Sequence, residues 1–258
     1  MQIRDSVVVV TGAGSGIGAA LARRFAEEGA AAVVVSDRDS AAADGVAAEI
    51  DAVADATDVT SELAVAALVA RTEERFGRID LFCSNAGIGT GEGVDAPDEV
   101  WRQAFDVHVM AHVYAARAVL PGMLDRGHGY LLNTASAAGL LTSPGDAPYT
   151  VTKHGAVALA EWLAVEYRDR GIGVSVLCPF GVATPLLMQP LAQGNAAARA
   201  VAASGEIITP EQVADTVVAG LAAETFLILP HPQVGTFWAQ KASDPDRWLA
   251  GVRRLLTR

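Results

Sequence analysis

A run of glycines at alternate positions follows the first apolar stretch of the chain, and this run most constrains the fold. Val7–Val10 predicts a strand over 6–11, and a helix is predicted over 17–29. Glycines between a strand and a helix permit a tight turn, and the N–H groups at the helix start attract a pyrophosphate. A purely structural turn is the alternative. The sequence therefore predicts a dinucleotide site that includes Gly12, Ser15, Gly16, Ile17 and Gly18.

Short β-branched runs alternate with alanine-rich helical stretches along the rest of the chain. Strands are predicted at 6–11, 32–36, 52–56, 79–84, 130–134, 173–177 and 226–229. Strands that alternate with helices form βαβ units, so the predicted class is α/β: a Rossmann-type, doubly wound, mostly parallel seven-stranded sheet with helices on both faces. A single domain is expected over residues 1–258, with an irregular, substrate-covering loop at about 179–209.

The acidic and apolar composition excludes some classes of partner. The formal net charge is -11 and 51% of the residues are hydrophobic. An acidic surface repels nucleic acid, and no apolar run is long enough to span a membrane. Cys83 and Cys178 each end an apolar run and are interpreted as buried thiols in a reducing compartment. We expect a cytoplasmic protein without a metal site, because no metal-ligand spacing is present.

Acidic side chains at the ends of the second and third predicted strands indicate which dinucleotide is bound. A carboxylate at Asp37 can accept hydrogen bonds from both adenosine ribose hydroxyls and would repel a 2′-phosphate, so NAD is favoured over NADP. Arg38 could instead tolerate that phosphate, although a place against the adenine or in solvent is preferred. Asp58, followed by Val59, could receive the adenine amino group or form a turn.

Three side chains in the middle of the chain predict proton transfer. Tyr149 and Lys153 are four residues apart at the start of a predicted helix and share one face. A nearby ammonium is expected to lower the phenol pKa, so that the tyrosine can exchange a proton with a substrate hydroxyl. Ser136 follows a predicted strand and could orient the substrate oxygen. The spacing of Tyr149 and Lys153 alone is weak, and the set of three is much more specific.

These motifs, in this order, resemble the short-chain dehydrogenase/reductase family from Ser6 to about Pro185. The resemblance implies an NAD(P)-dependent oxidoreductase that assembles as a homodimer or homotetramer. It also implies that Asn85-Ala86-Gly87 shapes the end of the central strand beside the cofactor. By the same resemblance the nicotinamide end would be met by Pro179, Val182 and Thr184, and Lys153 would hold the nicotinamide ribose.

Two positions depart from the family pattern. Where the family has an asparagine that holds a water in a proton relay, seven residues after a tryptophan, this chain has His108. A surviving relay, a relay gated by protonation of His108, and a merely space-filling residue all stay open. The second departure is Phe180, next to Pro179, where the family has glycine; its ring could pack on the cofactor or narrow the substrate pocket.

The predicted function is hydride transfer between NAD(H) and a small-molecule secondary alcohol or ketone. An apolar substrate is favoured by a hydrophobic cluster in the 179–209 loop, formed by Leu186, Leu187, Met188 and Leu191. A 3-oxoacyl-thioester reductase is an alternative, but the net charge and Asp37 weigh against it. A non-catalytic dinucleotide sensor of the same fold is the other alternative, and His108 is the feature that keeps it open.

Overall fold

The computed structural model of the chain describes residues 1–256, and its centre is a seven-stranded sheet in the order β3-β2-β1-β4-β5-β6-β7. All neighbouring strands are parallel. The strands are β1 (Val7–Thr11), β2 (Ala32–Asp37), β3 (Val53–Ala56), β4 (Leu81–Ser84), β5 (Gly129–Thr134), β6 (Ile172–Leu177) and β7 (Leu227–Ile228). The predicted doubly wound, seven-stranded sheet is confirmed.

Helices connect the strands and cover both faces of the sheet. They are α1 (Gly16–Glu27), α2 (Ser40–Glu49), α3 (Glu62–Phe76), α4 (Asp98–Phe105), α5 (Ala111–Arg126), α6 (Ala147–Tyr167), α7 (Pro185–Ala192), α8 (Ala196–Ser204), α9 (Pro210–Ala222), α10 (Gln233–Ser243) and α11 (Pro245–Leu256). Within residues 1–256, none of them is both long and apolar enough to cross a membrane.

Alternate residues of the buried strands supply two separate cores. In β1, Val8 and Val10 belong to the core beneath α1, α2 and α9, whereas Val9 belongs to the core beneath α3, α5 and α6. Strands of a parallel sheet are buried on both faces, which is why β1 and β2 are runs of valine rather than alternating polar and apolar residues. The interior position predicted for Cys83 and Cys178 agrees, since both thiols are buried and free.

The strand order reverses beside β1, and this reversal determines where a ligand can bind. From β1 the chain proceeds outward through β2 and β3, and it then returns to place β4 on the other side of β1. Open α/β sheets bind ligands at such a reversal, outside the carboxyl ends of the strands. The glycine turn after β1 and the residues after β4 and β5 therefore meet at one edge of the sheet.

The main correction concerns residues 179–209, which are not one irregular loop. They contain α7 and α8, and Val182 pairs with Ile208 in an isolated parallel bridge at the base of the two helices. Proline at the first position of α7, after Thr184, and the side chain of Asn195, which accepts from the Ala198 N–H at 3.1 Å, explain these helices. The segment remains a cover over the sheet edge, but it is a helical one.

Smaller differences occur elsewhere. The helical segment between β4 and β5 is not one regular helix, because a π-helical turn at Asp106–Met110, which contains His108, separates α4 from α5. The helix that carries Tyr149 begins two residues earlier than predicted, at Ala147. The tail forms two helices, in which Trp248 packs against the core, whereas Trp238 is 40% exposed.

Candidate active site

A large cavity opens at the carboxyl edge of the sheet, with a volume of about 1850 Å³. Of the predicted site residues, all except Gly18 and His108 line it. Small-ligand pockets usually measure about 300–1,000 Å³, so this cavity has room for a dinucleotide and a second molecule. The structure therefore brings these predicted residues, from seven parts of the chain, to one cavity.

The glycine turn lies against the residues that follow β4. Gly12 has a φ of +63°, and a Cβ on it would come within 2.7 Å of the Ala86 Cα. A Cβ on Gly18 would overlap the carbonyl oxygen of Gly12. Ser15, the N-cap of α1, makes no side-chain capping bond, so the first N–H groups of this helix have no side-chain acceptor. This turn fits a pyrophosphate, because it combines close backbone approach with N–H donors at a helix start.

Asn85 joins the two strand ends at the reversal. Its Nδ2 donates to the carbonyl oxygens of Thr11 at 3.1 Å and Gly12 at 3.4 Å. The Asn85 N–H in turn donates to Thr11 Oγ1 at 3.0 Å. The shape predicted for Asn85-Ala86-Gly87 thus has a direct cause, since the amide side chain fixes the glycine turn relative to β4.

The carboxylate of Asp37 lies beside the glycine turn. Its Oδ2 accepts from the Gly14 N–H at 3.0 Å, and its Oδ1 accepts from the Asp39 N–H at 3.0 Å. The neighbouring Arg38 is exposed and also lines the cavity. Asp58 lines the same end, but its Oδ1 accepts from the backbone and hydroxyl of Thr60, which is the contact of a turn-forming aspartate.

Ser136 follows β5, where its hydroxyl oxygen accepts from the Ala138 N–H at 3.1 Å and caps a short 3-10 turn. Lys153, from the second turn of α6, is only 2% exposed, and its Nζ donates to the Thr134 carbonyl oxygen at 3.0 Å. The ring centroid of Tyr149 is 5.6 Å from that Nζ. The ends of β5 and α6 therefore bring the three predicted proton-handling residues together.

Burial shifts the pKa values of Tyr149 and Lys153 in opposite directions, and the direction for Tyr149 differs from the one expected from the sequence. It raises the pKa of Tyr149 to about 12, and the Ser136 hydroxyl opposes this rise only in part. It lowers the pKa of Lys153 to about 8. The expected net lowering of the phenol pKa is therefore wrong, because loss of solvent has the largest effect on this group.

His108 is completely buried behind the catalytic helix. Its Nε2 accepts from the Ile88 N–H at 3.1 Å, and its Nδ1 lies 2.8 Å from Thr152 Oγ1. Because the Thr152 hydroxyl donates to the Pro148 carbonyl oxygen at 2.7 Å, Nδ1 carries the ring proton and donates to Thr152. Burial and the charge of Lys153 lower the pKa of His108 well below 6.5, so the ring is neutral.

Gly87 separates His108 from Lys153. A Cβ on Gly87 would lie 3.6 Å from Lys153 Nζ and 3.7 Å from His108 Nε2. The imidazole is thus close to the lysine, although both ring nitrogens are already hydrogen bonded.

Several functional contacts were missed by sequence reasoning. Asp146 caps α6 and binds the segment after β4. Lys241 of α10 donates to the carbonyl oxygens of Leu140 and Leu141, both at 2.8 Å. The aspartate three residues before Tyr149 is a recognisable N-cap signal, but the contacts with Lys241 join residues about one hundred positions apart and have no local signal.

Apolar side chains from several helices line part of the cavity. Leu186 and Leu187 line the cavity as expected, but Met188 and Leu191 of the same predicted cluster are not among its lining residues. Phe180 lines it too, and its ring packs edge-on against His231 at 6.0 Å. Further lining comes from the C-terminal helices, through Phe237 and Trp248. Residues 1–256 contain no group of three His, Cys, Asp or Glu that could hold a metal ion.

Comparisons with known proteins agree with this geometry. Residues 6–195 match the short chain dehydrogenase family. The chain is 38% identical over 240 residues to 1-deoxy-11-beta-hydroxypentalenate dehydrogenase of Streptomyces exfoliatus, covering 90% of this chain and 85% of that protein.

Solved structures of oxidoreductases have the same fold. A short chain dehydrogenase/reductase from Burkholderia phymatum in complex with NAD superposes with a TM-score of 0.86 at 29% identity, covering 95% of this chain and 96% of the other. A 3-ketoacyl-(acyl-carrier-protein) reductase from Brucella melitensis complexed with NADH superposes with a TM-score of 0.79 at 31% identity, covering 88% and 97%. The chain is therefore a member of the short-chain dehydrogenase/reductase family, an oxidoreductase that acts on hydroxyl or keto groups with a nicotinamide dinucleotide.

Proposed function

We propose that this enzyme is an NAD-dependent dehydrogenase or reductase of an apolar secondary alcohol or ketone. The observation that carries the proposal is the convergence of Ser136, Tyr149 and Lys153 on a cavity that also contains the glycine turn. Nicotinamide, when bound, supplies or accepts the hydride. The protein's own groups must then bind the substrate oxygen and exchange one proton with it.

Tyr149 is proposed as the acid and base of the reaction. Because its pKa is about 12, the side chain is a neutral phenol at pH 7 and can donate its proton to a carbonyl oxygen during reduction. Ser136 hydrogen-bonds the same oxygen and orients it. Lys153, which is mostly protonated at pH 7 because its pKa is about 8, stabilises the phenolate that remains. Oxidation of the alcohol uses the same proton transfer in reverse.

His108 is proposed as a neutral hydrogen-bonding group rather than a proton carrier. Its Nε2 accepts a hydrogen bond from the Ile88 N–H, and its Nδ1–H donates a hydrogen bond to Thr152 Oγ1. A relay through the ring would require both bonds to break, and a relay gated by protonation would require charging a completely buried imidazole. This assignment also removes the feature that favoured a non-catalytic sensor.

NAD is proposed over NADP because of Asp37. Its half-buried carboxylate is held by two backbone N–H groups at the end of β2, and it would repel a 2′-phosphate. The neighbouring Arg38 is exposed, where it can lie against the adenine. Val59 and Asp58 complete the adenine end of the cavity in this proposal, and Pro179, Val182 and Thr184 complete the nicotinamide end.

A homodimer or homotetramer in the cytoplasm is also proposed. The α6 helix exposes Val151, Trp162 and Val165, with exposed fractions of 55%, 55% and 86%. Large apolar side chains grouped on one helix favour burial against a second copy. The two free, buried cysteines are compatible with a reducing compartment.

A 3-oxoacyl-thioester reductase is the second candidate, favoured by the superposition on the Brucella melitensis enzyme. The net charge of -11 weighs against it, because an acidic surface would repel an acidic carrier protein. Activity on an oxoacyl thioester that exceeds activity on every free ketone would establish this candidate instead.

The experiment combines a fluorescence titration with NADH and an assay of secondary alcohols and ketones with both dinucleotides. Tyr149→Phe should abolish turnover and leave the Kd for NADH nearly unchanged, because only the acid–base hydroxyl is removed. Tyr167→Phe is the matched control, since this tyrosine packs against Trp162 outside the cavity. Unchanged turnover in Tyr149→Phe would refute the mechanism. Tight NADH binding without turnover of any substrate would favour the sensor.

A further inference from the structure

Residues 88–92, which follow Gly87, form part of the cavity wall near Tyr149. Ile88, Gly89, Thr90 and Gly91 all line the cavity. This segment belongs to no helix or strand. Its position relative to the catalytic tyrosine must therefore come from side-chain contacts.

Asp146 supplies most of these contacts. Its carboxylate is buried and accepts hydrogen bonds from four donors on two parts of the chain. Oδ2 accepts from the N–H groups of Thr90 at 2.9 Å and Gly91 at 2.7 Å. Oδ1 accepts from the Tyr149 N–H at 3.1 Å and from the Thr90 hydroxyl. One carboxylate thus caps α6 and holds the 88–92 segment.

Two further connections join the same segment to the first two turns of α6. The Ala147 N–H donates to the Glu92 carbonyl oxygen at 2.8 Å. At the other end, His108 accepts from the Ile88 N–H and donates to Thr152. The segment is therefore attached to the first turns of α6 at both ends and in the middle.

We propose that Asp146 is a positioning residue that fixes the substrate-side wall 88–92 relative to the Tyr149 hydroxyl. The proposal rests on the proposed function, because a fixed wall matters only if the tyrosine exchanges a proton with a bound substrate. Tyr149 is the third residue of α6, so the bond from its N–H to Asp146 fixes the backbone from which the phenol side chain extends. The same carboxylate then places the wall against which a substrate carbon rests, and misplacement of reacting groups by a small distance slows the chemical step.

Asp146→Asn separates this role from helix capping. Asparagine keeps the size and one acceptor oxygen, so it can still cap the Tyr149 N–H. Its NH₂ group would then face the N–H groups of Thr90 and Gly91, and the two bonds to Oδ2 would be lost. Ser61→Ala is the matched control, because Ser61 caps α3 through the Ala64 N–H and is not among the lining residues of the cavity.

The measurements are steady-state kinetics, the Kd for NADH, and backbone hydrogen exchange of residues 88–92. For Asp146→Asn we expect kcat to fall by about tenfold or more, with the Kd for NADH within about threefold of the wild-type value. The exchange of the Thr90 and Gly91 amides should accelerate by about tenfold or more. Ser61→Ala should lower the melting temperature but leave kcat, KM and this exchange unchanged.

Two outcomes would overturn the proposal. One is wild-type kcat in Asp146→Asn together with wild-type exchange of residues 88–92. The other is faster exchange with wild-type kcat, which would show that the wall need not be fixed. If the wild-type enzyme turned over no alcohol or ketone, the proposed function would fail by itself, and unchanged exchange in Asp146→Asn would still be a separate result against the contact.

Discussion

Replacing Lys153, the lysine of the proposed proton-transfer set, by methionine should abolish turnover and stabilise the folded protein at pH 7. Lys153 is 2% exposed, and burial lowers its pKa from 10.5 to about 8. Each pKa unit corresponds to about 1.4 kcal/mol, so holding this ammonium in the folded interior costs roughly 3 kcal/mol at pH 7. Methionine has a similar length and carries no charge, so Lys153→Met removes that cost.

The lost hydrogen bond offsets part of the gain. Lys153 Nζ donates to the Thr134 carbonyl oxygen at 3.0 Å, and such a bond contributes about 1 kcal/mol. The net stabilisation is therefore about 2 kcal/mol. For a domain of this size, 1 kcal/mol shifts the melting temperature by about 2–4 °C, so Lys153→Met should melt about 4–8 °C higher than the wild type.

The stability difference between Lys153→Met and the wild type should depend on pH in a defined direction. Below pH 8 the lysine is charged in both the folded and unfolded states, and the full cost of burial is present. Above pH 10.5 it is neutral in both states, and the cost disappears. The stability difference between Lys153→Met and the wild type, from calorimetry or urea unfolding, should thus be largest below pH 8 and shrink towards pH 10.5. A variant that melts lower than the wild type at pH 7, or a difference that does not change with pH, would refute this reasoning.

Three further substitutions test other parts of the site. Asp37→Asn should tighten NADP binding by about tenfold in a fluorescence titration, because it removes a charge that repels the 2′-phosphate; an unchanged Kd for NADP would contradict the proposed basis of cofactor choice. His108→Asn should leave the shape of the kcat/KM profile around pH 6.5 unchanged, since burial holds the pKa of the histidine well below its usual 6.5; an acidic limb confined to the wild type would show that the ring titrates. Lys241→Met should lower the melting temperature by a few degrees, the opposite of Lys153→Met, because it removes two bonds to backbone carbonyl oxygens. A higher melting temperature would disprove that role.

The parts of the site that sequence could predict depend on short-range signals. The glycine turn is a continuous segment between a strand and a helix, and Tyr149 and Lys153 are neighbours on one helix. The helices of the 179–209 segment could also have been predicted from the sequence, because Thr184 before Pro185 and Asn195 before an alanine run are typical of helix N-termini. They were missed because the glycines and prolines of the segment suggested irregular structure.

The remaining features depend on the folded environment. The pKa of Tyr149 follows from burial, whereas helical spacing alone predicted that Lys153 would lower it. The contact of Asp146 with Thr90 joins residues 56 positions apart, so no local pattern contains it. The neutral state of His108 depends on its complete burial and on hydrogen-bond partners from two other segments. Such properties can be derived only after the fold brings these residues together.

The two sides of the cavity are built in different ways, and this difference has a functional consequence. The glycine-turn side consists mainly of backbone at the ends of adjacent strands, which the side chains of Asn85 and Asp37 hold in place. The substrate side is held by long-range side-chain bonds: Asp146 and His108 fix the wall after β4, and Lys241 holds α10. His231 accepts from the Phe180 N–H and donates to the Glu206 carbonyl oxygen, which joins both ends of the segment that contains α7 and α8. Substitution of these four side chains should therefore change kcat and KM for the alcohol or ketone far more than the Kd for NADH.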